Sequence, residues 1–344
     1  MARKQSTGQR APMSPEARQR IAEAVRQAAE KKRIEMGLPP LPPTQQRVSP
    51  GSYTPPASQF VQRELELVHM KDQNFSPDLF LPMPTGKAID SLFTNDGGLP
   101  KACNYMVIGD PGVGKSTVTL DILSDLAISG KRVLFISAEM TRIDLWGYVQ
   151  RYPKFGEVPV LFLGEYLDAN PKQVIEDSLK PGYDVVLIDS FAEVQEAVKE
   201  SNYMSTGGSE KWLIDVMITH NMAQNDTETN TTFLAIQQVT KGGVFVGSNK
   251  LKHNTTGMLE LRLDDGGRTY CIFTKNRRGS VNRRLFYSLA ESGDVVYDIR
   301  RLNSDNEARE ALNSEKQRLE AEENMFDTLF EEGGVEKLIP RDDF

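Results

Sequence analysis

Gly109-Asp110-Pro111-Gly112-Val113-Gly114-Lys115-Ser116-Thr117 decides the fold. The stretch fits the phosphate-loop pattern G-x-x-x-x-G-K-[ST] in full, and its flanks give that pattern its meaning. Tyr105-Met106-Val107-Ile108 before it reads as a buried strand, and Val118 to Ala127 after it carries apolar residues at helical spacing. In a strand, loop and helix of this kind the glycines let successive backbone N–H groups turn inward onto a polyphosphate, and the helix N-terminus adds a favourable dipole. Lys115 is then placed to reach β- and γ-phosphates, and the Ser116 hydroxyl to ligate Mg²⁺.

Hydrolysis of a nucleoside triphosphate such as ATP also needs a carboxylate for the metal shell, an oriented water and positive charge on the departing phosphate. Asp189 closes the apolar run Val185 to Ile188, which predicts a central strand with the acid at its carboxyl end, in the metal shell. Glu139 follows the strand Lys131 to Ser137 and is the candidate base for the attacking water. Gln238 ends the strand that begins at Thr232, with its amide toward the γ-phosphate.

The remaining segments complete an α/β pattern. A weak strand at Leu161 to Leu163, a helix from Pro171 to Leu179 and the strand Tyr183 to Ser190 alternate as in a mostly parallel sheet covered on both faces. A short helix is expected after Thr85, with that residue as cap. Glu196 to Glu210, containing Ser205-Thr206-Gly207-Gly208-Ser209, reads as a long polar loop, followed by a helix from Lys211 to about Asn225. A second Gly- and Lys-bearing loop, Thr240 to Lys250, follows Gln238. Gly257 to Leu263, Arg268 to Thr274 and Arg284 to Leu289, with the turn Asp264-Asp265-Gly266-Gly267, predict an antiparallel C-terminal extension. An acidic helix is expected from about Asn306 to Asn324.

Both ends read as flexible tails. Residues 1–59 form a basic, Pro-rich arm with a helix starting at Ser14-Pro15-Glu16 and an extended linker from Pro39 to Pro56; residues 60–300 form the folded domain; residues 301–344 form an acidic helical tail. The formal net charge of -7 means that any DNA-binding surface is a local patch rather than a bulk property. Cys103 and Cys271 are the two cysteines, too few for a four-cysteine zinc site and no disulfide framework. With no long apolar run and no signal-peptide core, the expectation is a cytoplasmic protein of a bacterial or phage-infected cell, away from any membrane.

Three motifs in order carry a family resemblance. Thr85 to Thr117 resembles the entry to a RecA-type ATPase core. Ile236-Gln237-Gln238-Val239-Thr240-Lys241-Gly242-Gly243 resembles the Val-Thr-Lys-x-Gly signature of the bacterial RadA/Sms branch. Thr274-Lys275-Asn276-Arg277-Arg278-Gly279-Ser280 is similar to that branch's Lys-Asn-Arg-Phe-Gly motif, with Arg278 in place of Phe. The resemblance spans roughly Thr85 to Ile299. It implies a RecA-like P-loop core in a homo-oligomer, a hexameric ring, that binds single-stranded or branched DNA and couples ATP hydrolysis to branch migration or translocation. It also implies that Lys275 and Arg277 complete a neighbour's site. The loops after Asp189 and Gln238 match the family's DNA-binding loops, with Lys241, Lys250 and Lys252 as the phosphate-binding residues of the second. The family's zinc element and Lon-like domain have no counterpart here, which suggests a stripped-down, viral type of relative. A DnaB-like replicative helicase, a RecA-like strand-exchange recombinase and a KaiC-like regulatory ATPase share the core pattern. The acidic C-terminal tail is read as a competitor for DNA, a docking element for a protein partner, or a solvated end.

Overall fold

Runs of apolar residues that the chain cannot leave in water form the strands of one sheet. The computed structural model describes residues 67–166, 168–238, 249–290 and 293–331, with Arg20, Ala24, Gln27 and Lys31 as isolated helical positions. The chain divides into two units, Met1–Asp72 and Gln73–Phe344. Most of the N-terminal helix, the Pro39 to Pro56 linker, Lys241 and the segment after Glu331 lie outside the described residues.

In chain order the second unit contains α1 (Asp90–Phe93), β1 (Asn104–Gly109), α2 (Lys115–Ile128), β2 (Val133–Ser137), α3 (Arg142–Arg151), β3 (Val160–Phe162), α4 (Pro171–Leu179), β4 (Val185–Asp189), α5 (Phe191–Ser201), α6 (Thr206–Asn221) and β5 (Thr232–Gln238). There follow α7 (Asn249–Asn254), β6 (Gly257–Leu263), β7 (Thr269–Asn276), β8 (Arg284–Leu289), β9 (Val295–Tyr297) and α8 (Ile299–Glu331). The strands lie in the order β3-β2-β4-β5-β1-β6-β7-β8-β9. Pairing is parallel from β3 to β6 and antiparallel from β6 to β9. Such a sheet is a mostly parallel α/β core with an antiparallel C-terminal extension, as the sequence predicts.

Strand alternation splits the apolar residues into two cores. Val107, Phe135, Leu187 and Leu234 pack on one face with Leu120 and Leu123 of α2, while Met106, Ile136, Ile188 and Phe233 pack on the other with Phe191, Leu213 and Met217 of α5 and α6. Both faces are covered, so β1, β2 and β4 are buried along their whole length, as parallel strands require. Truncating one of these fully buried rings, such as Phe233, should cost about 3–5 kcal/mol.

Four expectations need correction. Glu196 to Glu210 is not a long loop: α5 runs to Ser201 and α6 begins at Thr206, joined by 202–205 alone. The Ser205 side chain caps α6 by accepting from Gly208 N, so the two glycines sit in a first helical turn held by its cap and by buried Leu213 and Met217. The acidic helix starts at Ile299 and runs unbroken to Glu331, rooted by buried Leu302; from Glu307 onward every described side chain on it is exposed. A ninth strand, Val295–Tyr297, pairs with β8. The helix after Thr85 is a single turn that begins at Asp90, because Thr85 instead closes a turn in which its N–H and hydroxyl donate to the Asp90 carboxylate.

Candidate active site

Strand register assembles the site. Gly109 at the end of β1 lies opposite Gln238 of β5, and Ser137 of β2 opposite Asp189 of β4. The carboxyl ends of four neighbouring strands therefore bring Gly109, Ser137-Glu139, Asp189 and Gln238 to one edge. Crevices at such edges are where open α/β sheets bind ligands. Backbone bonds tighten the arrangement, since Ala138 N and Glu139 N both donate to the Asp189 carbonyl, at 2.8 and 3.3 Å.

The phosphate loop turns into α2 at Gly114, whose φ of 93° is left-handed backbone that favours glycine. Lys115 Nζ folds back onto the loop, donating to the carbonyls of Gly109 at 2.8 Å and Asp110 at 3.0 Å. Burial lowers the Lys115 pKa, against the opposing pull of Asp189, Glu139 and Asp110. Ser116 Oγ donates to Asp189 Oδ2 at 2.5 Å. Asp189 is only 2% exposed; its burial, with Glu139 nearby, pushes the carboxyl up to about 6 despite the Ser116 bond and Lys115. A hydroxyl and a buried carboxylate short of positive charge make a donor set that fits Mg²⁺, which takes one or two protein oxygens and keeps the rest of its shell for water and phosphate. Gln238 Nε2 donates to Glu139 Oε1 at 3.0 Å, fixing the carboxylate's direction.

These side chains line a cleft of about 450 Å³ together with Pro111, Gly112, Thr117, Tyr148, Arg151 and Leu289. The last three were not legible as site residues. Tyr148 and Arg151 share a face of α3 at i,i+3 spacing, and α3 starts directly after Glu139 because Thr141 and Asp144 form a capping box. Thr141-x-x-Asp144 is visible in the sequence and could have placed that helix at the cleft. Nothing near Leu289 in the sequence points to the loop.

Lys275 and Arg277 are not brought to this cleft. Lys275 pairs with Met258, which pairs with Met106, and Arg277 N bonds the Thr256 carbonyl at the level of Asn104. Five residues of strand, roughly 16 Å at the usual rise, separate that level from Gly109. At this opposite edge Lys275 Nζ donates to the carbonyls of Lys252, His253 and Thr255, and an Arg277 guanidinium N–H to His253 O at 2.8 Å. The pair thereby satisfies the C-terminal carbonyls of α7. Burial, with Arg277 beside it, lowers the Lys275 pKa. Lys252 lies at this same edge. Lys250 contributes backbone to α7, but its side chain, like all of Lys241, lies outside the described residues.

No protein-family model matches the chain. The DNA repair protein RadA of Campylobacter jejuni is 28% identical over 205 residues, 57% of this chain and 42% of its own length. RadA of Mycobacterium tuberculosis is 26% identical over 220 residues, 63% of this chain and 44% of its own. The chain holds a RecA-type ATPase core close to RadA. It spans less than half the length of the curated relatives it matches. A solved structure of a KaiC-like protein from Pyrococcus horikoshii matches 64% of this chain and 99% of its own at 17% identity and a TM-score of 0.46. Among the described residues no helix is long and apolar enough to cross a membrane.

Proposed function

We propose that the RecA-type core hydrolyses ATP with Mg²⁺ in the cleft at the carboxyl edge, in a head-to-tail homo-oligomer, and that single-stranded DNA drives this turnover in repair or recombination. The observation that carries the reading is the convergence of Lys115, Ser116, Asp189, Glu139 and Gln238 on one cleft. The backbone from Gly109 to Thr117 would cradle the phosphates, and Lys115 would leave its loop carbonyls for the β- and γ-oxygens. Bound between Ser116 and Asp189, Mg²⁺ would neutralise charge on the phosphates. Glu139, aimed by Gln238, would take the proton of the attacking water. Gln238 directly precedes the second candidate DNA-binding loop, so its bond to Glu139 is a short link between that loop and the base.

Lys275 and Arg277 support the oligomer. A strand-borne pair at the far edge of the sheet serves its own γ-phosphate badly and a neighbour's well, through a heterologous contact that closes into a ring or extends as a filament. Ile143 and Trp146, 83% and 64% exposed on the helix that carries Tyr148 and Arg151, offer apolar surface for such a neighbour to cover.

ATP turnover by the full chain, measured with and without single-stranded DNA, tests the reading. Turnover that rises with DNA and disappears in Lys115→Ala is expected. DNA-independent turnover would favour a regulatory ATPase, and absence of turnover under both conditions would overturn the proposal. Unwinding of forked DNA or formation of joint molecules then tells a helicase or branch-migration motor from a recombinase.

A further inference from the structure

The hairpin of β8 and β9 in the antiparallel extension meets the cleft or the elements that frame it at three points. The first is Tyr287, whose buried hydroxyl donates to the Val113 carbonyl at 2.6 Å, inside the phosphate loop. Leu289 is the second. It lines the cleft, and its Cδ1 lies 3.0 Å from where a Cβ on Gly114 would stand.

The third point is Asp294, one residue after Gly293 in the connecting turn. Asp294 Oδ1 accepts from Lys87 Nζ at 2.5 Å and from Lys154 Nζ at 3.2 Å. The same two lysines meet Asp121, at 2.8 and 2.5 Å, and Lys154 also meets Asp125 at 2.7 Å. Asp121 and Asp125 belong to α2, the helix that the phosphate loop opens, and Asp121 is fully buried. Lys154 follows three residues after Arg151. Gly293 is left-handed at φ 86°, and a Cβ there would stand 2.6 Å from the Arg151 carbonyl, so the turn lies directly against the end of α3. Burial alone would raise the Asp294 carboxyl, but the bonds from Lys87 and Lys154 hold it well below the usual carboxylate range.

We propose that this hairpin is the positioning element of the cleft, with Tyr287 holding the phosphate loop by its Val113 carbonyl and Asp294 clamping α2 to the segment that carries Tyr148 and Arg151. The inference rests on the reading of the cleft as a nucleotide site. Neither residue touches the reacting atoms; each acts by keeping the loop amides and the side wall in the geometry a nucleoside triphosphate needs. Removing the Tyr287 hydroxyl leaves a buried carbonyl in the loop without its partner, and the loop can recover that bond only by moving. A neutral amide at 294 removes one of the three carboxylates that meet the two lysines, and with it the charged link from the hairpin to that cluster.

Binding of a fluorescent ADP analogue with Mg²⁺ by the full chain, and amide exchange at residues 110–118 without nucleotide, test this. Tyr287→Phe should weaken nucleotide affinity about fivefold to tenfold and raise loop exchange, with a smaller change in turnover at saturation. Asp294→Asn should weaken affinity in the same direction, and Asp294→Glu should restore it. Tyr297→Phe is the control, because the Tyr297 hydroxyl is buried with no hydrogen-bond partner among the described residues; it should alter neither quantity. Unchanged affinity and loop exchange in Tyr287→Phe, measured against a Lys115→Ala variant that has lost binding, would overturn the inference. Equal binding by wild type and Lys115→Ala is a different result, and would overturn the nucleotide reading itself.

Discussion

The two edges of the sheet differ in what their charged residues do. At the carboxyl edge, half-buried Lys115, buried Asp189 and exposed Glu139 line one cleft, with Lys115 and Asp189 bonded to the phosphate loop and Glu139 to Gln238. At the opposite edge, Lys275 and Arg277 are spent on the carbonyls that end α7, and no cleft-lining residue lies near. One edge has the glycine-rich loop with acids around it, and at the other the two cations bond carbonyl oxygens among the described residues. The difference teaches that the candidate phosphate site and the Lys275-Arg277 pair lie at opposite edges of one sheet, which is the arrangement the proposed head-to-tail assembly would use.

The largest expected effect comes from breaking the carboxyl edge. Lys115→Ala should lower ATP turnover by on the order of 10³-fold, because the loop loses its charge on the β/γ bridge; a steady-state assay checks this. Glu139→Gln should lower turnover by roughly 10²-fold or more while leaving nucleotide binding intact, since the water loses its base but the cradle is unchanged. Near-normal turnover in Glu139→Gln would remove the base from Glu139.

A smaller effect at the carboxyl edge concerns stability. Asp189 has a folded pKa of about 6, above its unfolded value of roughly 3.9. Its protonated form therefore stabilises the fold below about pH 4, and that contribution is lost as the pH rises through 6. At pH 7.5, without nucleotide or metal, Asp189→Asn should be more stable than wild type by up to about 3 kcal/mol, while losing turnover. Thermal melts at pH 4 and 7.5 measure this, and the gain should vanish at the lower pH. Asp294 has the opposite sign, with a depressed carboxyl whose stabilisation is present above the unfolded value and is lost as the pH falls through the folded one.

The carboxyl edge was legible because its signals are local. β1, β2, β4 and β5 are short apolar runs, and each ends in or just before a residue of the candidate site. What stayed hidden depends on distance in the chain. Tyr287 meets Val113 across 174 residues, and nothing in Leu-Phe-Tyr-Ser-Leu distinguishes a strand that braces a loop from one that only packs. The α5 to α6 region failed for another reason. Gly207-Gly208 and the polar residues around them have loop propensity, and the helix exists because Ser205 caps it and Leu213 and Met217 bury one face of it. The position of Lys275 and Arg277 relative to the phosphate loop was also not readable, because it follows from strand order.

The smallest predicted effect concerns the loop that leaves the carboxyl edge at Gln238. Replacing Lys241, Lys250 and Lys252 together by Ala should weaken binding to single strands of any sequence and reduce the salt slope by about 2, at roughly 0.7 per phosphate contact. Unchanged affinity from low to moderate salt would leave DNA binding to other residues.

Mixing two inactive variants tests the two-edge account most directly. Arg277→Ala, alone, should lose on the order of 10³-fold in turnover if its guanidinium serves the transferring phosphate. Combined with Lys115→Ala, it should regain a measurable fraction of wild-type turnover, since some interfaces then join an intact phosphate loop to an intact Arg277. Full activity of Arg277→Ala as a homogeneous protein, or a mixture no more active than its two components, would contradict the account.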